Sequence, residues 1–523
     1  MRRPLTALLI LLGALFGLLG GRASLAEPAP TPPSIPTPGE RHLVILHTND
    51  VHGQVAPRPA VWLEGVNPLP DCGGLPRLAA RLRQVRAEAE AAGAVVLVCD
   101  GGDWFQGTPE GQVDRGRAFM GALGAVGYDG MVVGNHEFDH GVDVLVDHLQ
   151  RAPLPALLAN ARDADGAPLA GVRESVVVER GGLRVALVGL LTTGTPSITH
   201  ASTRDLRWED PAAALGRVRA ALGDEVDLVI PVTHMGVEED VALARAHPDL
   251  PLIVGGHSHT FLKAGVREGG TLITQAGAKA SVIGRVDLWL DGRGEVARAT
   301  AVHLDLYDEL ESPRNEEVDR RCAAIGVRVA GMLDEVVGVL GRPLRTTRRP
   351  LVNSSAGNFI ADLMRERTGA DVALHNRGGI RTTLRAGPVT RRDLFMLLPF
   401  SNHLETLTMD GASLRELFRR SVEGPRPVPL EFSGVTLQVR RDPGGQVELL
   451  GILGPGGAPV ADADTLRVTT NSFLAAGGDG WSALADAPGE REVDLILLRE
   501  LLEVGFDRGP RTPSVEQRYR LLP

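Results

Sequence analysis

Residues 42–53 read His-Leu-Val-Ile-Leu-His-Thr-Asn-Asp-Val-His-Gly, an apolar run followed at once by side chains that can bind a metal. The run His42–His47 predicts a buried strand, because it is short, continuous and rich in branched residues. Four further runs of this kind follow, with helical patterns between them: Ala94–Cys99, Gly130–Val133, Val226–Val232 and Leu250–Val254. Strands that alternate with helices indicate parallel pairing through right-handed crossovers, and therefore an α/β fold.

The connections between these runs carry helix and turn signals. Pro76 opens one helical pattern, and Asp210 is placed to cap another. The runs Ser175–Arg180 and Leu183–Leu191 flank Gly181-Gly182, which is typical of a β-hairpin. The sheets are therefore expected to be mixed rather than purely parallel.

Each of the five runs ends in polar side chains. Because the carboxyl ends of parallel strands meet along one edge of a sheet, these side chains are expected to lie close together. Aspartate, asparagine and histidine form the mixed oxygen and nitrogen set that suits Zn, Mn or Fe. The candidate ligands are Asp50, His52, Asp103, Asn135, His234, His257 and His259. Seven ligands are too many for one ion and fit two divalent ions that share a carboxylate.

The loop after the third run adds a candidate acid. His136 and Asp139 lie three residues apart, so the carboxylate can orient the imidazole for proton donation to a leaving group. Asp139 as a cap for a helix that begins near Gly141 is the alternative. Glu137 is expected to support the loop, and other histidines such as His200 are expected to be structural or exposed.

At this point the sequence resembles a known family. The ordered blocks Asp50-x-His52, Gly102-Asp103, Gly134-Asn135-His136-Glu137, His234 and Gly256-His257-x-His259 resemble the metallophosphoesterase signature. The complete Gly-Asn-His-Glu-Phe-Asp form, together with motifs in the second half, narrows the resemblance to the secreted bacterial 5′-nucleotidase family. The resemblance implies a four-layer α/β/β/α metallophosphoesterase domain, a connector helix and a C-terminal α+β nucleotide-binding domain.

The resemblance also implies roles for the candidate residues. One divalent metal would be held by Asp50, His52, Asp103 and His259, and the other by Asp103, Asn135, His234 and His257. His136 and Asp139 would stabilise the transition state.

Three blocks in the second half resemble the nucleotide-binding domain of that family. They are Asn376-Arg377-Gly378-Gly379-Ile380-Arg381, Pro399-Phe400-Ser401-Asn402 and the segment 471–480. By similarity, Phe400 and Phe473 would stack on the base, which Asn402 would reach. Asp479 would accept hydrogen bonds from the ribose hydroxyls, and Asn376 and Arg381 would contact the nucleotide. The stretches Glu431–Arg440 and Thr465–Thr470 read as strand-rich.

One block departs from the family pattern. Relatives carry an arginine just ahead of a Glu-Ser-x-Leu-Gly-Asn block, whereas here Asn353 replaces the glutamate, and Arg348, Arg349 and Pro350 precede it. Substrate preference is therefore not predicted from this block.

The chain divides into five predicted segments. They are a signal peptide at 1–26, a proline-rich tether at 27–40, the metallophosphoesterase domain at 41–307, a connector at 308–340 with a helix over Glu316–Leu333, and the nucleotide-binding domain at 341–523.

The first segment has the features of an export signal. Arg2 and Arg3 precede the apolar run Leu5–Leu19, and Ser24-Leu25-Ala26 fits a cleavage site. A retained anchor is the alternative, although the run is shorter than the ~20 residues that a membrane span needs. We expect a periplasmic or extracellular protein without a stable membrane span after cleavage.

Composition limits the partners. The 523 residues are 43% apolar and 23% charged with a net charge of −10, which argues against a nucleic-acid polymer or an anionic lipid surface as partner. Three cysteines leave two possibilities open: a bridge between Cys72 and Cys99, or Cys99 as a buried strand residue. The sequence makes no prediction of oligomeric state.

The resemblance therefore implies a secreted dimetal phosphohydrolase that releases phosphate from 5′-nucleotides, with a small-molecule nucleotide as its substrate. A phosphodiesterase or pyrophosphatase on 2′,3′-cyclic nucleotides or UDP-sugars would use the same reacting centre. A nucleotide-binding scavenger protein without turnover is an alternative of another class. Because the two half-sites lie on separate domains, catalysis is expected to need closure of one domain on the other.

Overall fold

A computed structural model describes residues 40–60, 70–152, 154–307, 314–347, 349–423, 427–488, 491–506 and 509–523. The predicted signal peptide, nearly all of the tether, the first residues of the connector and Arg348 lie outside the described residues. Within the ranges above, no helix combines the length and the hydropathy that a membrane crossing requires.

The described residues of the N-terminal half form sixteen strands and seven helices, followed by the connector helix. The strands are β1 (Arg41–Thr48), β2 (Arg58–Pro59), β3 (Asp71–Cys72), β4 (Val95–Asp100), β5 (Gly130–Val132), β6 (Ala156–Leu157), β7 (Ala161–Arg162), β8 (Ser175–Arg180), β9 (Leu183–Leu191), β10 (Arg207–Trp208), β11 (Leu228–His234), β12 (Leu252–Val254), β13 (Val266–Glu268), β14 (Thr271–Thr274), β15 (Val282–Leu290) and β16 (Val296–Asp305). The helices are α1 (Leu75–Ala91), α2 (Pro109–Gln112), α3 (Arg117–Gly124), α4 (Val142–Arg151), α5 (Thr195–Ile198), α6 (Pro211–Leu222), α7 (Val237–Ala246) and the connector α8 (Glu316–Leu333).

Two six-stranded sheets carry this half. The first has the order β16-β15-β1-β4-β5-β6 and the second the order β13-β14-β12-β11-β9-β8. Strands β1, β4, β5 and β6 are parallel, as are β9, β11, β12 and β14. Antiparallel strands β15 and β16 complete one edge of the first sheet, and antiparallel strands β13 and β8 form the two edges of the second. The expected mixture of parallel and antiparallel pairing is thus present.

The two sheets pack face to face. Ile45 and Leu97 of the first sheet share a core with Leu187 and Ile230 of the second. Helices α1, α3 and α8 cover the outer face of the first sheet, and α6 and α7 cover the outer face of the second. The predicted four-layer α/β/β/α arrangement is confirmed.

Local sequence signals account for several of these bounds. The hairpin β8–β9 has the predicted limits, because Gly181 and Gly182 both take positive φ, 58° and 72°, as its two-residue turn requires. Asp210 caps α6 by accepting a hydrogen bond from the backbone N–H of Ala213. All three cysteines are free and buried, so Cys99 is a strand residue of β4 and is not bridged to Cys72.

The C-terminal half mixes short sheets with helices. Its strands are β17 (Val336–Leu340), β18 (Val372–Asn376), β19 (Gly387–Thr390), β20 (Leu404–Asp410), β21 (Leu430–Ser433), β22 (Thr436–Arg441), β23 (Val447–Leu453), β24 (Thr465–Asn471), β25 (Glu492–Asp494) and β26 (Tyr519–Leu522). Its helices are α9 (Ser355–Thr368), α10 (Arg391–Leu397), α11 (Gly411–Val422), α12 (Ser472–Ala475), α13 (Ser482–Ala485) and α14 (Leu498–Phe506). The main sheet has the order β21-β18-β24-β20-β25, and β23-β22-β26 form a second sheet.

The strand-rich stretch Glu431–Arg440 is shared between these two sheets. It contains most of β21 and β22, which are divided at Gly434. Gly434 has a φ of 93°, and a Cβ at this position would lie 2.0 Å from the carbonyl oxygen of Asp371. Only glycine fits this close approach, so the chain leaves one sheet here and enters the other.

Candidate active site

The seven predicted metal ligands lie together at the carboxyl ends of the parallel strands. Asp50, His52, Asp103 and His259 have ligand atoms within 4.8 Å of one another, and Asp103, His234 and His257 form a second group of the same kind. Asp103 belongs to both groups. Asn135 joins the second group, because its Oδ1 lies 3.0 Å from His257 Nδ1 and 3.2 Å from His234 Nε2.

Backbone carbonyls orient two of the histidines. His52 Nδ1 lies 2.7 Å from the carbonyl oxygen of Gln106, and His234 Nδ1 lies 2.6 Å from that of Gly101. These contacts assign the proton to Nδ1 in both rings and leave the Nε2 lone pairs facing the centre. His52 Nε2 lies 2.9 Å from His259 Nε2. Two ring nitrogens directed at each other in this way suit a shared cation.

Hydrogen bonds hold one carboxylate oxygen of Asp50, and the other oxygen faces the metal-ligand cluster. Its Oδ2 accepts hydrogen bonds from Asn49 Nδ2, at 2.7 Å, and from the backbone N–H of His257, at 3.0 Å. Its Oδ1 is buried without a hydrogen-bond partner among the described residues and lies 3.1 Å from His259 Nε2. A buried anionic oxygen is costly unless a positive charge faces it, so this geometry fits a bound cation.

The charge states also suit metal binding. Burial raises the pKa of Asp103, but the neighbouring His234 and His136 outweigh it and hold the pKa well below its usual value. Burial, together with the charge of His234, lowers the pKa of His257 to about 4. Burial lowers the pKa of His234 too, but Asp103 and Asp50 reverse this and raise it to about 10. The buried carboxylates of Asp50 and Asp103 therefore stabilise a positive charge at this place. A metal ion that replaces the proton of His234 would supply that charge.

Five of the seven ligand residues have left-handed backbones. The φ angles are 51° at Asp50, 51° at His52, 57° at Asp103, 77° at His257 and 55° at His259. Such conformations cost about 1 kcal/mol or more each for residues with a Cβ, and they persist only where surrounding contacts impose them. Side-chain types do not encode this strain, and the sequence prediction missed it.

Glu137 supplies much of the support for these loops, as expected from the sequence. Its carboxylate accepts hydrogen bonds from the backbone N–H groups of Asp103, Trp104 and Gly134, at 3.0, 2.7 and 2.8 Å. It therefore fixes the Asp103 loop to the loop that carries Asn135.

His136 and Asp139 form the expected pair. His136 Nδ1 lies 2.9 Å from Asp139 Oδ2, and Asp139 Oδ1 accepts a hydrogen bond of 3.0 Å from Thr199 Oγ1. Helix α4 begins after Gly141 without a side-chain cap, so the capping alternative for Asp139 is not observed. Burial lowers the pKa of His136, but Asp139 and Asp103 outweigh burial and the net pKa is raised.

A cavity of about 490 Å³ lies between the two halves of the chain, next to these residues. All six predicted nucleotide contacts line it: Asn376, Arg381, Phe400, Asn402, Phe473 and Asp479. The rings of Phe400 and His136 are 5.8 Å apart, and the guanidinium carbon of Arg381 is 5.8 Å from the Phe400 ring. Asn376 Nδ2 donates a hydrogen bond of 3.0 Å to Asp479 Oδ2. The N-terminal half and the C-terminal half therefore face one space.

The sequence prediction missed several residues of this cavity. Gln112, Ile198, Thr199 and His200 line it from the N-terminal half. His200 is exposed, as expected, but its position at the cavity was not anticipated. No motif marks these residues, because they reach the cavity through tertiary packing of α2, of the end of α5 and of the segment that follows it.

The departure at Asn353 has a structural account. Asn353 Oδ1 accepts a hydrogen bond of 2.7 Å from the backbone N–H of Arg518, so this side chain contacts the C-terminal segment rather than the cavity. A carboxylate reaches the start of α9 from elsewhere, because Glu431 of β21 accepts hydrogen bonds from Ser354 Oγ and Arg377 Nε, both 3.0 Å.

Comparison with known proteins agrees with this geometry. Residues 43–261 match the model of the calcineurin-like phosphoesterase family, and residues 331–486 match that of the 5′-nucleotidase C-terminal domain. The chain therefore combines a calcineurin-like phosphoesterase domain with a 5′-nucleotidase C-terminal domain. A 5′-nucleotidase of Vibrio cholerae is 29% identical to this chain, over 91% of this chain and 93% of that protein. An apyrase of Tabanus yao is 28% identical to this chain, over 95% of this chain and 97% of that protein. The crystal structure of a 5′-nucleotidase precursor from Thermus thermophilus superposes with a TM-score of 0.81 at 26% identity, over 92% of this chain and 99% of that one.

Proposed function

We propose that this chain is a dimetal phosphohydrolase that releases phosphate from nucleoside 5′-phosphates. One observation carries the proposal. The cavity with Phe400, Phe473 and Asp479 opens directly onto His136 and onto Asn135 and His257 of the metal-ligand cluster. A nucleotide seated there has its base and sugar in one half of the chain and its phosphate in the other.

Two divalent ions, held by the ligand sets described above, would supply Lewis-acid activation of water and would neutralise charge on the phosphate. The mixed imidazole and carboxylate donors favour zinc or manganese. His136 donates a proton to the leaving 5′ oxygen, and the pKa raised by Asp139 and Asp103 favours the protonated form of the ring that this role needs. Asp139 orients the ring through Nδ1, and Glu137 holds the loop that bears both.

The nucleoside is held by the C-terminal half. Phe400 and Phe473 stack on the base, an interaction worth ~1–3 kcal/mol per ring that tolerates any base. Asp479, already fixed by Asn376, accepts hydrogen bonds from ribose hydroxyls. Arg381 pairs with phosphate oxygens at the mouth of the metal centre, and Asn402 contacts the base.

We also propose the segment bounds given above and export of the chain. Arg2, Arg3, the apolar run and the site at Ala26 support cleavage of residues 1–26. Mass spectrometry of the mature protein is expected to give Glu27 as its first residue. A mature chain that retains Met1 would contradict the cleavage.

The function is tested with purified, metal-loaded protein on AMP, UDP-glucose and 2′,3′-cyclic AMP. We expect phosphate release from AMP to exceed turnover of the other two, and a chelator to abolish it. His136→Ala is expected to lower kcat on AMP by about 10²–10⁴-fold, because the leaving oxygen loses its proton donor.

His247→Ala is the matched control, since His247 lies outside the cavity and contacts the backbone of Ala212. It is expected to retain wild-type kcat. Faster turnover of UDP-glucose or of the cyclic nucleotide would instead identify a pyrophosphatase or phosphodiesterase. Tight AMP binding without any phosphate release would identify a scavenger protein.

A further inference from the structure

Segment 198–204 begins at the last residue of α5 and joins two parts of the active site. Its first three residues, Ile198, Thr199 and His200, line the cavity. The segment belongs to the N-terminal half, but helix α5 lies against the turn Gly478–Gly480 of the C-terminal half. Ile198 and Asp479 also border a second, shallower cavity together. The segment therefore meets both halves of the chain at the place proposed for the nucleotide.

Two hydrogen bonds attach the segment to the loop that carries the catalytic pair. Thr199 Oγ1 donates a hydrogen bond of 3.0 Å to Asp139 Oδ1. Ser202 Oγ accepts one of 3.1 Å from the backbone N–H of Val142, three residues after Asp139. Asp139 in turn lies 2.9 Å from Nδ1 of His136 through its other oxygen. The position of the segment therefore affects the position of the proposed proton donor.

One arginine attaches the same segment to the nucleoside-binding half. Arg204 Nη2 donates a hydrogen bond of 3.0 Å to the carbonyl oxygen of Ala476, and its Nε donates one of 3.4 Å to that of Pro196 in α5. Ala476 directly follows α12, lines the cavity and lies three residues before Asp479, the proposed partner of the ribose hydroxyls. Arg204 thus connects α5 to the loop that is proposed to bind the nucleoside.

Internal hydrogen bonds make the segment a compact turn. The carbonyl oxygen of His200 accepts hydrogen bonds from the backbone N–H and the hydroxyl of Thr203, at 3.1 and 2.8 Å. The carbonyl oxygen of Thr203 accepts one of 2.9 Å from Trp208 Nε1, and Thr203 is buried. A contiguous network of this kind can carry a displacement from one of its ends to the other. Thr199 and Arg204 are therefore expected to move together.

We propose that Arg204 is a positioning residue for the catalytic pair. Its contact with Ala476 fixes segment 198–204, and the segment holds Asp139 and His136 in place for proton donation. A small displacement of the imidazole slows the reaction, because proton transfer needs a short and aligned hydrogen bond. The inference rests on the proposed function, since it needs His136 as the proton donor. It adds that a contact with the nucleoside-binding half sets the efficiency of the acid in the other half.

The test uses two substrates that differ in their need for an acid. The 5′ alkoxide of AMP must gain a proton as it leaves, whereas the 4-nitrophenolate of 4-nitrophenyl phosphate is a weak base and leaves without one. Values of kcat and KM are measured for both substrates with metal-loaded protein. Arg204→Met keeps the apolar part of the side chain and removes both hydrogen bonds. Arg207→Met is the matched control, because Arg207 is an exposed arginine of β10 in the same half.

We expect Arg204→Met to lower kcat for AMP about fivefold, as for the loss of one hydrogen bond from a charged donor, and to change kcat for 4-nitrophenyl phosphate less than about twofold. Arg204→Lys should restore at least part of kcat for AMP, because a lysine can still donate to Ala476. Arg207→Met should match wild type on both substrates. Since Arg204 is exposed, its replacement is not expected to disturb the fold, which thermal unfolding checks.

A double-mutant cycle tests the path through Thr199. Thr199→Val removes the hydrogen bond to Asp139 and should lower kcat for AMP with the same selectivity. In that background Arg204→Met should lower kcat by less than about twofold more, because the connection to Asp139 is already broken.

A raised KM for AMP with unchanged kcat would mean that Arg204 only holds the two halves together, and would overturn the proposal. Equal losses of kcat on both substrates, or independent effects of Arg204→Met and Thr199→Val, would also overturn it. Failure of the proposed function looks different, because wild-type protein would then hydrolyse 4-nitrophenyl phosphate and release no phosphate from AMP. In that outcome both proposals are wrong.

Discussion

At the level of single residues, the active site depends on side chains whose partners lie far away in the chain. Asp139 orients His136 from within the same loop, but Thr199, sixty residues further on, holds the second oxygen of Asp139. The left-handed backbones of Asp50 and Asp103 are likewise held by contacts from other loops. Residue type and spacing predict the ligands and the catalytic pair, because metal chemistry restricts which side chains can serve. They do not predict Thr199, because tertiary packing alone brings this residue to the site.

The charge of Asp139 should set the alkaline limit of activity. A histidine with a raised pKa stays protonated to higher pH, so its acid function is present below that pKa and is lost as the pH rises through it. Asp139→Asn removes the carboxylate that raises the pKa of His136. We expect the alkaline limb of the pH profile of kcat to move to lower pH.

Thr199→Val separates charge from geometry, because it removes the hydrogen bond to Asp139 and leaves the carboxylate charged. It is expected to lower kcat while the alkaline limb moves by less than half the shift seen in Asp139→Asn. An unchanged limb in Asp139→Asn would show that His136 is not the group that limits activity at high pH.

At the level of helices and strands, periodicity and turn chemistry predict most of what places the site. Gly181-Gly182 and the cap Asp210 fix a hairpin and a helix from a few residues each. The order of strands within each sheet could not be read in this way, since β1 lies between β15 and β4, far apart in sequence. The division of Glu431–Arg440 at Gly434 also depends on the backbone of Asp371, which no local pattern reveals.

Strand β18 should make the stability of the C-terminal half depend on pH. Burial of His375 lowers its pKa from 6.5 to about 4, despite a hydrogen bond to the carbonyl oxygen of Asn376. The unfolded chain therefore binds a proton near pH 6.5 that the folded protein does not accept until about pH 4. Stability is lost as the pH falls through this window, by about 2.5 kcal/mol at about pH 4.5.

His375→Asn keeps a donor near the position of Nδ1 and cannot titrate in this window. Urea unfolding of the metal-free proteins at about pH 7.5 and about pH 4.5 measures the difference. The variant is expected to lose about 2.5 kcal/mol less than wild type between the two pH values. If both proteins lose the same free energy of unfolding between the two pH values, the folded protein accepts the proton on His375 as readily as the unfolded chain does, and the prediction is wrong.

At the level of the whole molecule, the two halves are held in a closed arrangement by polar contacts. Arg392 of α10 pairs with Glu110 of α2 and, through Nε at 2.9 Å, with Asp334 after the connector helix. Gln112 Nε2 donates a hydrogen bond of 3.2 Å to the carbonyl oxygen of Pro399, which is next to Phe400 in the sequence. These contacts bring the stacking rings to the metal ligands, so their loss should favour arrangements in which the two half-sites are apart.

Arg392→Met keeps the apolar part of the side chain and removes both ion pairs. Since Arg392 is partly exposed, the pairs are worth about 1 kcal/mol, which corresponds to a shift of about fivefold between closed and open forms. We expect a larger radius of gyration by small-angle X-ray scattering without nucleotide, a return to the wild-type value with a saturating nucleotide, and a KM for AMP raised about fivefold.

Arg415→Met is the control. It removes an ion pair to Asp462 within the C-terminal half alone and should change neither the radius of gyration nor KM. If the two variants scatter alike and share one KM, the Arg392 pairs do not hold the halves together, and closure must rest on the contacts around Pro399.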